Sequence, residues 1–125
     1  MSFTIKDMTI RDEYNRQRIF KGVNICFKGR ENQHEIYEFF DKFENDKNFR
    51  DEQYDMLTSN GVNLIRLGFT WAMLEPKKNQ FDEKIISYLK LFVDECQKRN
   101  IYIVLDLHQD VFYSNGKYGD GAPKW

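Results

Sequence analysis

An α/β fold built on parallel strands is what this sequence predicts, and three observations predict it. Short apolar segments rich in β-branched residues recur at a fixed spacing, helical patterns separate them, and none of them alternates cleanly between apolar and polar residues. "KGVNICF" begins at Lys21, "NGVNLIRLGF" at Asn60 and "RNIYIVLDL" at Arg99; the steps from Gly22 to Gly61 and from Gly61 to Asn100 are both 39 residues. Strands without alternation are buried on both faces, which is the habit of parallel sheets.

Ahead of the first strand, "IKDMTIRDEYNRQRIFKG" reads as a hairpin turning around residues 13–16, so that residues 1–20 would floor one end of the sheet. Between the first two strands, residues 33–60 hold two amphipathic helical halves, "HEIYEFFDKF" and "DEQYDMLTSNG", with a break at 45–48. Gly61 both stops the second helix and opens the next strand. The helix at 82–100 is the clearest. Asp82 is an N-cap, and Ile85, Ile86, Leu89, Phe92, Val93 and Cys96 recur at steps of three and four. Lys98 and Arg99 suit the negative end of its dipole, and Asn100 can take the left-handed stop. The order is therefore hairpin, strand, helical pair, strand, helix, strand, with right-handed crossovers expected. Nothing along the chain marks a linker.

The 125 residues suffice for one core and one domain. Apolar residues make up 41% and aromatics 16%, which suits either a dense core or a surface that faces sugar or lipid. Charges nearly cancel, at −1 net, which argues against nucleic acid and other polyanionic partners. The first residues, "MSFTIKDMTIRDE", hold no apolar run resembling the core of a signal peptide. No window approaches the ~20 apolar residues of a transmembrane segment. Cys26 and Cys96 are too few and too isolated for a disulfide framework or a zinc site, and both read as buried thiols.

In parallel α/β architectures the chemistry collects beyond the carboxyl ends of the strands. The first strand runs out at Phe27, Lys28 and Gly29. The second carries Arg66 inside its apolar run and leaves through Thr70, Trp71, Glu75 and Pro76. The third leaves through His108, Gln109 and Asp110. Strand periodicity puts Asp106, His108 and Asp110 on one side. A carboxylate deep in an apolar strand needs a partner, and Arg66 on the neighbouring strand is the natural one, as an ion pair stiffening the floor of a site or as a direct participant in it. His108 and Asp110 are expected to contact a ligand. Trp71 is either core or a flat face on which a sugar stacks. His108, Asp110 and Asp120 would offer a metal one nitrogen and scattered oxygens without a recognised spacing, so no metal and no cofactor are expected. The glycines of "NGKYGDGAP" read as turn chemistry, with Asp120 at the corner and Pro123 fixing the exit, and not as a phosphate cradle. No Ser or Cys sits on a nucleophile elbow.

"GVNLIRLGFTWAMLEP" and "FDEKIISYLKLFVDECQKRNIYIVLDLHQDVF" resemble the second and third βα units of family five glycoside hydrolases. "DLHQD" followed by "YGDGAPKW", with "GVNICFK" upstream, resembles the endoglycoceramidase branch of that family. The resemblance covers residues 10–125. It implies that 1–125 is the amino-terminal portion of a (β/α)8 (TIM) barrel, with 1–20 as the hairpin floor and 21–125 as the first three βα units. It implies a retaining glycosidase that cleaves the β-glucosidic bond between sugar and ceramide in glycosphingolipids. Lys28, His108 and Asp110 match residues that line the glycone subsite, and Arg66 matches an arginine that supports the catalytic floor. One departure is Asn79, where relatives often carry Gly, with Phe81 for Tyr; Asn tolerates the left-handed region, so the turn should persist. The family's acid/base glutamate ends the fourth strand and its nucleophile the seventh, both expected beyond Trp125, so the chain alone should not catalyse. The alternatives are a cellulase-type or steryl-glucoside hydrolase of the same family, or a non-catalytic sugar-binding remnant. The implied partner is a glycolipid or oligosaccharide, with contact to a membrane surface through the lipid. The cytoplasm is the default compartment, although relatives are often secreted, and the sequence sets no oligomeric state.

Overall fold

The computed structural model describes residues 2–28, 34–112 and 121–125. The chain opens with a hairpin of β1 (Phe3–Lys6) and β2 (Thr9–Asp12), paired from Phe3↔Asp12 to Lys6↔Thr9. Its tip is the two-residue turn Asp7–Met8, both at positive φ (50° and 57°). Two-residue hairpin loops favour such backbones because their twist matches that of the strands. The turn expected at 13–16 is a second reversal and not the hairpin's tip. There the Asp12 carboxylate accepts from the backbone N–H groups of Tyr14 and Arg16, both at 3.0 Å, and Arg11 bridges back to Gln17. Asp-Met lacks the glycine that usually announces a tight hairpin, which is why the tip was hidden.

The main sheet is fully parallel, in the order β3 (Gly22–Phe27), β4 (Leu64–Phe69), β5 (Tyr102–Leu107). Asn63 ties the strand starts together. Its side chain accepts from Lys21 N–H (2.9 Å) and donates to the Ile19 carbonyl (3.1 Å), while its carbonyl accepts from Tyr102 N–H (2.9 Å). Phe3 and Phe20 meet the Tyr102 ring edge to face at 5.3 and 5.5 Å, so the hairpin sits at the amino end of the sheet. A pocket of about 440 Å³ lies between the hairpin and that end of β4 and β5.

The segment between β3 and β4 forms α1 (His34–Asn45) and α2 (Lys47–Ser59), broken at Asp46, whose side chain accepts from Phe49 N–H and caps α2. After β4 come the short α3 (Trp71–Leu74), capped by Thr70, and α4 (Glu83–Lys98), where Asp82 accepts from Lys84 and Ile85 N–H. Gly61 (φ 72°), Asn79 (58°) and Asn100 (56°) all take the left-handed region their sequence roles require.

The helices cover one face of the sheet. Ile65 and Leu67 point into a core with Phe40, Phe43, Tyr54, Ile85, Tyr88, Phe92 and Cys96. Phe40 stacks on Tyr88 at 5.0 Å and Phe43 on Phe92 at 5.6 Å. The buried stripe of α4 is rotated from the expected one. Tyr88 and Glu95 are buried, whereas Ile86 is 39% exposed. Glu95 reaches the interior because Lys98 (2.5 Å) and Arg99 (2.6 Å) neutralise it, with Arg50 at 3.6 Å. Cys96 is buried beside the Tyr54 hydroxyl (3.4 Å), but Cys26 is exposed, against expectation: it lies on the opposite, uncovered face of β3.

Candidate functional site

The face of the sheet that the helices do not cover carries the polar residues, two apart along each strand. Across the register, Asn24 stands opposite Arg66 and Arg66 opposite Val104; one layer further, Cys26, Gly68 and Asp106 align. Lys28 follows the end of β3. His108 donates its backbone N–H to the Phe69 carbonyl at 2.8 Å, extending the ladder one residue past β5.

These side chains form one chain of contacts. Arg66 Nη2 lies 2.7 Å from Asp106 Oδ2, and Arg66 Nη1 donates to Asn24 Oδ1 at 3.4 Å. The same Asp106 oxygen is 3.0 Å from His108 Nδ1, and His108 Nε2 is 3.3 Å from Asp110 Oδ2. Asp110 Oδ2 is paired with the Lys28 ammonium. That ammonium, and then His108, hold the Asp110 carboxyl below its usual range. Arg66 and Asp106 are a pair as expected, but not a buried one: their side chains are 43% and 24% exposed, because the inner face is open.

Gly68 makes this layer possible. A Cβ there would stand 2.5 Å from Cys26 Sγ and 3.5 Å from Asp106 Oδ2. A second close approach brings the end of the chain onto "HQD". Gly121, at φ 122°, packs so tightly that a Cβ would be 2.3 Å from that of Gln109. Its carbonyl accepts from Ala72 N–H at 2.7 Å. Asp120 and Gly29 lie outside the described residues, so the expected corner and strand exit there carry no structural account; among the described residues no cluster could hold a metal ion.

Trp71 takes no part in the contact chain. Its indole N–H donates to Glu75 Oε2 at 2.7 Å, and its ring meets Trp125 edge-on at 5.6 Å. Glu75 is buried, with Oε1 accepting from Asn79 N–H at 2.7 Å, so both of its oxygens are engaged in holding the turn after α3. Sequence reasoning missed Asn24 and the roles of Glu75 and Trp125. Asn24 was readable, since it shares the inner face with Cys26 and Lys28; the meeting of Trp125 with Trp71 had no local signal.

The family model described as cellulase, glycosyl hydrolase family 5, matches residues 20–124. An endoglycoceramidase of Hydra vulgaris is 33% identical over 114 residues, covering 91% of this chain and 21% of that protein. An ergosteryl-beta-glucosidase of Saccharomyces cerevisiae is 40% identical over 72 residues, covering 55% of this chain and 9% of that protein. The crystal structure of Cryptococcus neoformans sterylglucosidase 1 superimposes with a TM-score of 0.79 at 25% identity, covering 98% of this chain and 19% of that one. These relatives are glycosidases, and the chain spans about a fifth or less of their length. The hairpin and three parallel strands are accordingly the amino-terminal portion of a (β/α)8 barrel.

Proposed function

We propose, from the premise that this chain belongs to glycosyl hydrolase family 5, that its inner sheet face is the sugar-binding side of a glycolipid β-glucosidase. The observation that carries this reading is the unbroken run of contacts from Arg66 through Asp106, His108 and Asp110 to Lys28, at the strand ends and open to solvent. Carboxylates and an ammonium in contact suit sugar hydroxyls, which both donate and accept, and each charged hydrogen bond is worth ~1.5–3 kcal/mol.

In this reading Lys28, His108 and Asp110 touch the sugar and Trp71 offers it an apolar face. Arg66 and Asp106 support the floor. Residues 1–20 act as the bottom of the barrel and 21–125 as its first three βα units. The bond cleaved joins a β-glucoside to ceramide, with retention. A steryl aglycone is the second reading, favoured by the 40% identity to the ergosteryl-beta-glucosidase and the 0.79 TM-score to the sterylglucosidase. Retention needs two carboxyl groups ~5–5.5 Å apart across the bond. Glu75 is committed to Trp71 and Asn79, and Asp110 to Lys28, so the 125 residues alone bind without hydrolysing.

Titrating the chain with methyl β-glucoside tests this. Amide signals around Lys28, His108 and Asp110 should shift, and Lys28→Ala or Asp110→Ala should weaken binding about tenfold or more while leaving the unfolding midpoint in place. Variants that unfold but bind equally well per folded molecule would make the pair structural. Hydrolysis of a fluorogenic β-glucoside by the chain would show that the catalytic carboxylates lie within it.

A further inference from the structure

We propose that Asp106 is a positioning residue that fixes the tautomer of His108, leaving Nε2 of the neutral ring unprotonated as an acceptor for a ligand hydroxyl. The inference rests on reading the inner face as a sugar site.

The two ring nitrogens stand in different company. Nδ1 is 3.0 Å from Asp106 Oδ2. A carboxylate can only accept, so that contact is favourable only with the proton on Nδ1. The opposite tautomer would turn a lone pair towards the carboxylate at 3.0 Å and draw on two longer contacts, Arg66 Nη2 at 3.5 Å and Asp110 Oδ2 at 3.3 Å. The hydrogen bond made by one nitrogen decides the state of the other.

Asp106 is itself held. Arg66 Nη2 donates to the same oxygen at 2.7 Å, and the missing side chain of Gly68 leaves that carboxylate its room. With Nδ1 protonated, Nε2 and Asp110 Oδ2 become two acceptors 3.3 Å apart, and the Lys28 ammonium on that oxygen offsets their repulsion. A hydroxyl hydrogen placed between them satisfies both. The site then discriminates against a ligand with a methyl ether or no oxygen at that position, because Nε2 would then face the Lys28-paired Asp110 oxygen with no hydrogen between them.

The chain has two histidines, so His34→Gln leaves His108 alone in a spectrum. Long-range proton–nitrogen correlation on the histidine-labelled chain at about pH 8, above the usual imidazole range, should show Nδ1 bearing the proton and Nε2 bare; sedimented protein can be read the same way by magic-angle spinning. Asp106→Ala removes the acceptor beside Nδ1 and leaves Arg66 Nη2, at 3.5 Å, as a donor to that nitrogen, so the proton should move to Nε2, where Asp110 Oδ2 accepts it. It should also weaken methyl β-glucoside binding about tenfold. Nε2 protonated in the unsubstituted chain, which is also what an unfolded histidine shows, overturns the proposal. So do both nitrogens protonated, or a ring unchanged by Asp106→Ala. If the tautomer is as stated and no glucoside binds, it is the sugar reading that fails, and with it Nε2's role as ligand acceptor.

Discussion

Asp106 stands opposite Gly68 in the register, yet its partner is Arg66, one layer closer to the amino end, with Nη2 2.7 Å from Oδ2. The diagonal reach exists because Gly68 puts nothing between them.

Because this pair is part-exposed, Arg66→Ala should cost about 1 kcal/mol or less of stability, below the ~3–5 kcal/mol of a buried pair. Arg99→Ala should cost more, ~1.5–3 kcal/mol. Arg99 pairs with Glu95, whose side chain is only 7% exposed, and with Asp51, and it lies 4.5 Å over the Tyr54 ring. Urea unfolding of the two variants decides the order; Arg66→Ala as the more damaging would contradict the open inner face.

Acid should destabilise the fold. Asp41 is held below its usual range by the Tyr88 hydroxyl and then Lys84, and Asp51 by Lys47. Burial raises Glu95, but Lys98 and Arg99 together outweigh it and leave it lowered. A carboxyl depressed on folding contributes fully above its unfolded value and loses that contribution as pH falls through its folded one. The urea midpoint should therefore hold above about pH 5 and drop below about pH 4, the ordinary carboxylate range. A midpoint that rises on acidification would contradict these pairings.

The cysteines should react unequally. Burial pushes the Cys96 thiol up to about 11, against a smaller opposing effect of the Tyr54 hydroxyl, while Cys26 is exposed on the inner face. Thiolates are the nucleophiles, so mass spectrometry of the folded chain with a maleimide should find one adduct, on Cys26. A second label without denaturant would mean that the core around Tyr54 opens readily.

The last strand should make the isolated chain sticky. Leu105 and Leu107 in β5 are each 60% exposed, and β5 has no strand on its far side among the described residues. Such edges template association. Light scattering should show species larger than a monomer, and Leu105→Lys with Leu107→Lys should reduce them. A cooperative monomer before substitution would show that the edge is protected.

Much of this was legible in residue order. The 39-residue spacing gave the three strands, Asp82 and Asn100 bounded α4, and period-two counting brought Asp106, His108 and Asp110 to one side. The failures have physical causes. The apolar neighbours of Cys26 suggest burial, but a strand shows alternate residues to opposite faces, and only one face is covered by helices. Arg66 likewise sits in an apolar run, that of β4, yet points to the uncovered face. The hairpin tip escaped because Met8 adopts a backbone its side chain disfavours, and Glu95 because its partners arrive from α2 as well as from its own helix.

The alternation along β3, β4 and β5 has an evolutionary consequence. Ile65 and Leu67 answer to the core, whereas Arg66 and Asp106 answer to each other on the open side. Substitutions at Asn24 or Arg66 leave the helix-covered core around Ile65 and Leu67 untouched, whereas Gly68 admits none, since a Cβ there would meet Cys26 Sγ at 2.5 Å. The two halves of each strand can therefore change independently of one another, the apolar half held by the helices and the polar half by its own ion pairs.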